Sequence, residues 1–481
     1  MLAVTLNELR FEYDIHSLVK AFYPAETVKV FQEGTKEFVS DGENPAIAVL
    51  FEKDRIRIRV DDSEGETALS SPEEKNVVKN ELKQLLYRML SAKTGRLLPW
   101  GSLTGIRPAK IAMQLLEEGR TQEEIRSYME QTYYCSREKA ELAIGIACRE
   151  KEILKDIHYE QGYSLYVGIP FCPTTCLYCS FTSFPITAWR ARVEEYLDAL
   201  EREMDFVREA CRDRVLDSVY IGGGTPTTLE PEQLERLLSR IRETFDFSQV
   251  KEFTVEAGRA DSITADKLRV LKKYGVTRIS VNPQTMNQKT LDLIGRRHTV
   301  EQVKEAFYLA RQEGFTNINM DLILGLPGEE LPEVQHTMEE IKKLSPDSLT
   351  VHSLAVKKAS RMMQWIEKNG LELLHNTEET IQLAARTARE MSLHPYYLYR
   401  QKNMTGNLEN VGYAREGCYG LYNILIMEEK QTIMAIGAGT ISKAVHSDGR
   451  IERCENVKEL PLYLEKIDEM IERKRRLLEG V

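Results

Sequence analysis

The sequence predicts an α/β fold: a partial, open (β/α)6 barrel, preceded by an α+β portion and followed by an α+β extension. Between about residues 160 and 355, short β-rich runs alternate with amphipathic, charge-studded helical runs, the pattern of βα units around a parallel sheet. The residues that carry chemistry fall just after those β-rich runs, where barrels and open α/β sheets build their active sites. A chain of 481 residues, 42% of them hydrophobic, is long enough for about three domains of roughly 150 residues with substantial cores.

The expected domains are 1–157, 158–360 and 361–481. In the first, Ile47–Phe51 and Arg55–Val60 flank a Lys53-Asp54 turn and read as a hairpin, and helical runs follow over 72–93, 107–118 and 122–157, the second with Pro108 near its start. Arg55, Arg57 and Arg59 alternate with apolar residues and share one face, which a solvated outer sheet surface explains better than a grip on a polyanion. Barrel strands are expected at Ser164–Ile169, Asp217–Ile221, Glu252–Glu256, Arg278–Val281, Asn317–Leu324 and Ser348–Ser353. The extension holds a helix over 376–391, a strand over Tyr396–Arg400, a polar segment over 401–413 that suits a cover on a large ligand, and a helix over 457–478. The Arg473-Lys-Arg-Arg476 cluster of that last helix reads as solvated.

Three of the eight cysteines, Cys172, Cys176 and Cys179, stand in the run Tyr166-Val-Gly-Ile-Pro-Phe-Cys-Pro-Thr-Thr-Cys-Leu-Tyr-Cys-Ser180, at spacing CxxxCxxC with no fourth ligand nearby. Three thiolates on a short loop suit a 4Fe-4S cluster whose fourth iron stays open. An open iron can bind a small molecule, most often S-adenosylmethionine (SAM), so the spacing suggests radical chemistry. The alternatives are a structural zinc ion, which normally takes four protein ligands, and three cysteines brought close by chance. Phe171 and Tyr178 give the loop a dry wall. The other five cysteines are scattered singly, matching no disulfide framework, which suits a reducing compartment.

The remaining composition excludes several classes. A formal charge of −10 with pI near 5.6 disfavours a general nucleic-acid binder. No stretch reaches the ~18 apolar residues of a membrane span, and the early acidic and polar residues do not read as a secretory signal, so a cytoplasmic location is expected. Gly222, Gly223 and Gly224 allow backbone amides to approach a ligand closely. Alone, such a run is more often a tight turn. Glu256 and Asp321 are acids on apolar strands, suited at the barrel mouth to an ammonium group or ribose hydroxyls, or to an ordinary strand-end salt bridge.

Together, Tyr166 to Cys179, Gly222-Gly-Gly-Thr-Pro-Thr227, Gln284, Leu293-Ile-Gly-Arg-Arg-His298, Asp321-Leu-Ile-Leu-Gly-Leu-Pro327 and Ile436-Gly-Ala-Gly-Thr-Ile-Ser442 resemble the radical SAM family of oxygen-independent coproporphyrinogen III oxidases. The chain most resembles its HemZ-type coproporphyrinogen dehydrogenase branch, over roughly 160 to 455 and in the N-terminal extension. The resemblance implies that Cys172, Cys176 and Cys179 ligate the cluster and that Tyr166, Gly223 and Glu256 surround SAM on the open iron. It also implies a second SAM beside Tyr178, Gly224, Thr225, Gln284, Arg296, Asp321, Ala355 and Ile441. The implied reaction is oxidative decarboxylation of two propionates of coproporphyrinogen III to the vinyl groups of protoporphyrinogen IX, in porphyrin and haem biosynthesis. A 5′-deoxyadenosyl radical would take hydrogen from a propionate β-carbon, with carbon dioxide and one electron then lost. The electron donor and acceptor are unidentified.

Two positions depart from the better-known oxidases: Gly168 stands where they have histidine, and Phe181 where they have a fourth cysteine. Relatives that act as haem chaperones also lack that cysteine, so a haem carrier stays open as an alternative, as does a radical SAM methyltransferase. Four substrate carboxylates call for cations, and Arg259, Arg400 and Lys402 are the candidates.

Overall fold

The computed structural model describes residues 1–24, 26–33, 46–105, 107–357, 360–370, 373–401 and 408–479. They form two compact units. The first comprises Met1–Cys148 with Leu398–Leu408, the second Arg149–Tyr397 with Glu409–Val481.

The first unit is built on a five-stranded sheet in the order β2-β1-β3-β4-β5, from β1 (Leu2–Leu6), β2 (Val28–Gln32), β3 (Ile47–Phe51), β4 (Arg55–Val60) and β5 (Ser63–Ala68). The expected hairpin is β3–β4, closed with Phe51 opposite Ile56. Ile56, Ile58 and Val60 turn inward against Val49, Phe51 and the helices Glu12–Phe22 and Lys75–Thr94. Arg55, Arg57 and Arg59 lie on the other face, opposite Ala68, Glu66 and Glu64, and Arg57 pairs with Glu66 at 3.3 Å. That face is locally neutralised. The helical run expected over 122–157 is two helices, Gln122–Tyr133 and Arg137–Ile153, with Tyr134 in the left-handed region at φ 57° ending the first.

The strands of the second unit are, in chain order, β6 (Gly162–Ile169), the short β7 (Phe171–Cys172) and β8 (Phe184–Pro185) around the cysteine loop, β9 (Val215–Gly223), β10 (Glu252–Gly258), β11 (Arg278–Val281), β12 (Ile318–Leu324), β13 (Ser348–Ser353), β14 (His394–Tyr399), β15 (Asn410–Ala414), β16 (Thr432–Ile436), β17 (Ile441–Val445) and β18 (Ile451–Glu455). β6, β9, β10, β11, β12 and β13 lie side by side, all parallel, and constitute the expected (β/α)6 core. β16 adds in parallel beyond β6, and β15 adds antiparallel beyond β13. Because helices cover the sheet, these strands are apolar along most of their length rather than alternating. Pro231 at the first turn of Pro231–Thr244 and the Thr299–Gln302 capping box of Val300–Gln312 set where two of those helices begin.

We retain 158–360 as the proposed barrel domain; by compactness, 361–397 and 409–481 group with it and 398–408 with the first unit. Two expectations in the extension are corrected. In the segment over 401–413, residues 402–407 lie outside the described residues, and Asn410 to Tyr413 are not a cover but a buried strand, β15. The terminal helix is broken at Lys466 into Leu460–Glu465 and Ile467–Leu478, and its basic cluster is not uniformly solvated: Lys474 is 1% exposed.

Candidate active site

The cysteine loop leaves the carboxyl end of β6. Cys172 lies on β7, and the loop beyond it is held by several contacts. Leu177 donates its amide to the Ile294 carbonyl at 2.9 Å, and the Thr174 hydroxyl donates to the Gly295 carbonyl at 3.0 Å. Arg361 donates to the Thr175 carbonyl, and Arg259 to the Thr174 carbonyl and hydroxyl. Arg259 is itself fixed by a two-pronged pair with Asp261 at 2.9 and 2.7 Å, and His298, wholly buried, lies 3.7 Å from the same carboxylate. Cys176 is buried, Cys172 and Cys179 half-buried. Burial pushes the Cys172 thiol up to about 11 and the Cys179 thiol upward as well, the direction a bound metal reverses by stabilising thiolates. Among the described residues no three ligating side chains already close on one ion. The donor chemistry, three thiols against the buried ring of Phe171, nonetheless fits an iron–sulfur cluster with one open iron.

The glycine loop after β9 packs directly behind this loop. Gly224 donates its amide to the Ile169 carbonyl and Thr225 to the Phe171 carbonyl, both at 2.7 Å. A Cβ on Gly224 would stand 2.5 Å from the Phe171 carbonyl oxygen and 3.0 Å from Cys172 Sγ, so only glycine permits the approach. Gly223 adopts φ +106° and lines one small cavity with Tyr166, Gly168, Phe181, Gly439 and Thr440. On the inner face of the sheet Tyr166 stacks on Tyr220 and Tyr422, at 6.0 and 5.7 Å between centroids. The Tyr220 hydroxyl donates to Glu256 on β10. Desolvation pushes the Glu256 carboxyl up to about 7, with Asp321 adding to the rise. No lysine or arginine stands within ion-pair distance of Glu256 among the described residues, so a cationic ligand would find an acid that no protein cation balances.

Across the mouth a second group gathers. Arg296, 5% exposed, donates from Nε to the Tyr178 hydroxyl at 3.3 Å and from Nη1 to the Asn282 carbonyl, and its charge lies beside Cys176. Gln284 sits at φ 68°; its amide donates to the Asp321 carbonyl, and its carbonyl accepts from Ile323, each at 2.9 Å. Its buried side-chain Oε1 meets no donor among the described residues. Asn319 donates to Asp321 at 2.7 Å, and half-buried His352, whose pKa burial lowers, lies within electrostatic reach of Asp321. Ala355 is half-buried just past β13, and Ile441, 43% exposed, opens β17 immediately after Thr440.

Residues 166–341 match the radical SAM superfamily. The chain is 41% identical over 409 residues, 84% of its length and 82% of the relative's, to the oxygen-independent coproporphyrinogen-III oxidase-like protein HemZ of Bacillus subtilis (strain 168). The chain belongs to that family. Membership brings with it a 4Fe-4S cluster and SAM. The haem chaperone HemW of Bacillus subtilis (strain 168) is 34% identical over 277 residues, 57% of this chain and 69% of that protein. The structure of coproporphyrinogen III oxidase (HemN) from Escherichia coli, a radical SAM enzyme, shares the fold, with TM-score 0.52 and 24% identity over 67% of this chain and 73% of the other.

Arg259 and Arg400, expected to meet substrate carboxylates, stand elsewhere. Arg259 braces the cysteine loop through Thr174 and Asp261 rather than facing a substrate. Arg400, 4% exposed, belongs to the first unit, where it donates to the Leu103 carbonyl at 2.6 Å and lies over the Trp100 ring. Lys402 lies outside the described residues. Sequence reasoning also missed Tyr220, Asp261 and His352. Tyr220 was findable, because parallel register sets it opposite Tyr166 and two residues before Gly222, on the face that carries the site. The two departures have distinct settings. A Cβ at Gly168 would stand 2.5 Å from Thr440 Cγ2, whereas Phe181 is 71% exposed with the Lys357 ammonium 5.7 Å over its ring.

Proposed function

We propose that the chain is a radical SAM oxidoreductase that oxidatively decarboxylates two propionates of coproporphyrinogen III to the vinyls of protoporphyrinogen IX. One observation carries the reading: three thiols, the Gly223–Gly224 backbone and the cation-free Glu256 carboxylate converge at adjacent strand ends. In this reading Cys172, Cys176 and Cys179 hold the cluster, and Tyr166, Gly223 and Glu256 hold SAM. Tyr178, Gly224, Thr225, Gln284, Arg296, Asp321, Ala355 and Ile441 hold a second SAM. Bound together, cluster and SAM supply one-electron cleavage and a hydrogen-abstracting radical. The chain's own part is placement. Glu256 gives up its proton and receives an ammonium group, Gly223 keeps the approach free of a side chain, and Arg296 keeps positive charge beside the thiols. Phe171 excludes water, and Lys357 over Phe181 offers a charge to a propionate.

A haem carrier is the second reading, favoured by Phe181 at the fourth-cysteine position and by the absence of an imidazole at Gly168. An anaerobic assay of the reconstituted protein with coproporphyrinogen III, SAM and a reductant, read by mass spectrometry, decides between them. Protoporphyrinogen IX, lighter by two carbon dioxide and four hydrogen atoms, supports the oxidase. SAM cleavage without that product, together with retained haem, replaces it by the carrier; S-adenosylhomocysteine points instead to methyl transfer.

A further inference from the structure

In the loop Gly437–Thr440, between β16 and β17, Ala438, Gly439 and Thr440 form one wall of the cavity that Tyr166 and Gly223 line. The loop lies against the carboxyl end of β6 and the cysteine loop at atomic contact. A Cβ on Gly437 would stand 2.5 Å from the Gly168 carbonyl oxygen, and one on Gly439 2.4 Å from Thr182 Oγ1. Behind the loop is a wholly buried ion pair, Glu203 with Lys474 at 2.6 Å, at 0% and 1% exposure. Glu203 also accepts from the Gly437 amide at 2.7 Å, from Asn456 Nδ2 at 2.9 Å and from the Tyr463 hydroxyl. Asn456 donates in addition to the Gly437 carbonyl at 2.9 Å, so both backbone groups of Gly437 are held. In front, the buried Tyr196 hydroxyl donates to the Gly168 carbonyl at 2.6 Å and accepts from the Ala438 amide at 3.1 Å, joining the two sides of the cavity through one atom.

Buried ion pairs are a poor route to stability, since apolar residues of similar volume often do as well. What this one achieves is directional, because Glu203 takes the Gly437 amide directly and, through Asn456, the Gly437 carbonyl is held as well. We propose that Tyr196, Glu203 and Lys474 are positioning residues that fix the Gly437–Thr440 wall of the SAM site, which makes the C-terminal helix Ile467–Leu478 part of that site's support. This rests on the reading that the Tyr166–Gly223 cavity takes SAM. None of the three touches the cluster thiols, so cluster assembly is separable from their effect.

The test uses the full chain. Tyr196→Phe removes only the shared hydroxyl and keeps the ring against Phe171. Hydrogen exchange of the 437–440 amides in the cluster-free protein is expected to accelerate, while iron content after reconstitution stays at the wild-type level and SAM binding by equilibrium dialysis weakens about tenfold. Lys474→Met, which strands a buried carboxylate, is expected to do the same more strongly; if it does not fold, Tyr196→Phe decides alone. Wild-type exchange in Tyr196→Phe, or faster exchange with wild-type SAM affinity, overturns the proposal. If the wild-type protein itself binds no SAM, it is the functional reading that falls, and the exchange experiment still reports whether the loop is clamped.

Discussion

Two glutamates in the same unit stand in opposite conditions. Glu203, wholly buried, accepts hydrogen bonds from an ammonium, a phenol, an amide side chain and a backbone amide. Glu256, half-buried at the mouth, has the Tyr220 hydroxyl as its hydrogen-bond partner and a carboxyl pushed up to about 7. A carboxylate whose acceptor positions are filled by the fold holds the fold together, and one left short of positive charge is, in the proposed reading, where a cationic ligand binds. Burial alone does not separate structural from functional acids; the identity of the partners does.

The contrast would be upset most completely at the cysteine loop. Cys176→Ala is expected to lose the whole cluster, about four iron and four sulfide per chain, and SAM cleavage with it; stoichiometric zinc in the wild-type protein, without visible charge-transfer absorption, would show that the loop serves another metal. Next in size, Glu203→Ala leaves Lys474 buried and uncompensated, a loss of about 3–5 kcal/mol, visible in calorimetry as a markedly lower Tm. An unchanged Tm would mean that the hub is not what holds the wall.

Glu256→Gln should act on the ligand instead. SAM affinity is expected to fall about 10- to 100-fold, from the loss of a charge-assisted contact worth about 1.5–3 kcal/mol, with Tm not reduced. Its pH behaviour sharpens the contrast. Because the carboxyl's folded-state pKa is raised from 4.5 to about 7, the folded chain holds an extra proton in that window. Stability of the ligand-free protein therefore contains a contribution that declines as pH rises from about 4.5 to 7, while SAM affinity improves over the same range. Both trends should flatten in Glu256→Gln, and a SAM titration with the same pH profile in both proteins would remove Glu256 from the site. Smallest is Gln284→Gly. It relieves a left-handed residue worth about 1 kcal/mol, so the ligand-free protein should melt slightly higher, and a lower Tm would show that the side chain supports the fold.

The barrel was legible because short β-rich runs alternate with amphipathic helical runs; Arg278–Val281 and Ser348–Ser353 have the same limits in sequence and structure. The cysteine loop was legible from spacing. Lys474 was not, because a run of four basic residues reads as a solvated face. Helical periodicity places it with Ile467, Met470 and Leu477 on the buried side, and that geometry outweighs the charge of its neighbours. Arg259 was misplaced for a related reason. Its position after a strand suggested a ligand, whereas Asp261, two residues on, is close enough to capture it. Nothing local marks the break at Tyr134, where a tyrosine takes a conformation that glycine more often supplies.

The contact between Gly168 and Thr440 sets what position 168 can carry. The methyl of Thr440 already occupies the direction in which a side chain at 168 would grow, and two glycines, Gly437 and Gly439, are needed to bring that methyl so near. A histidine at position 168 therefore requires the Thr440 side chain to turn its methyl away. Glu203 and Asn456 hold both backbone groups of Gly437, so at this wall the Thr440 side chain rather than the backbone has to give. Glycine at 168 leaves this wall of the cavity with a methyl group where a base would otherwise stand.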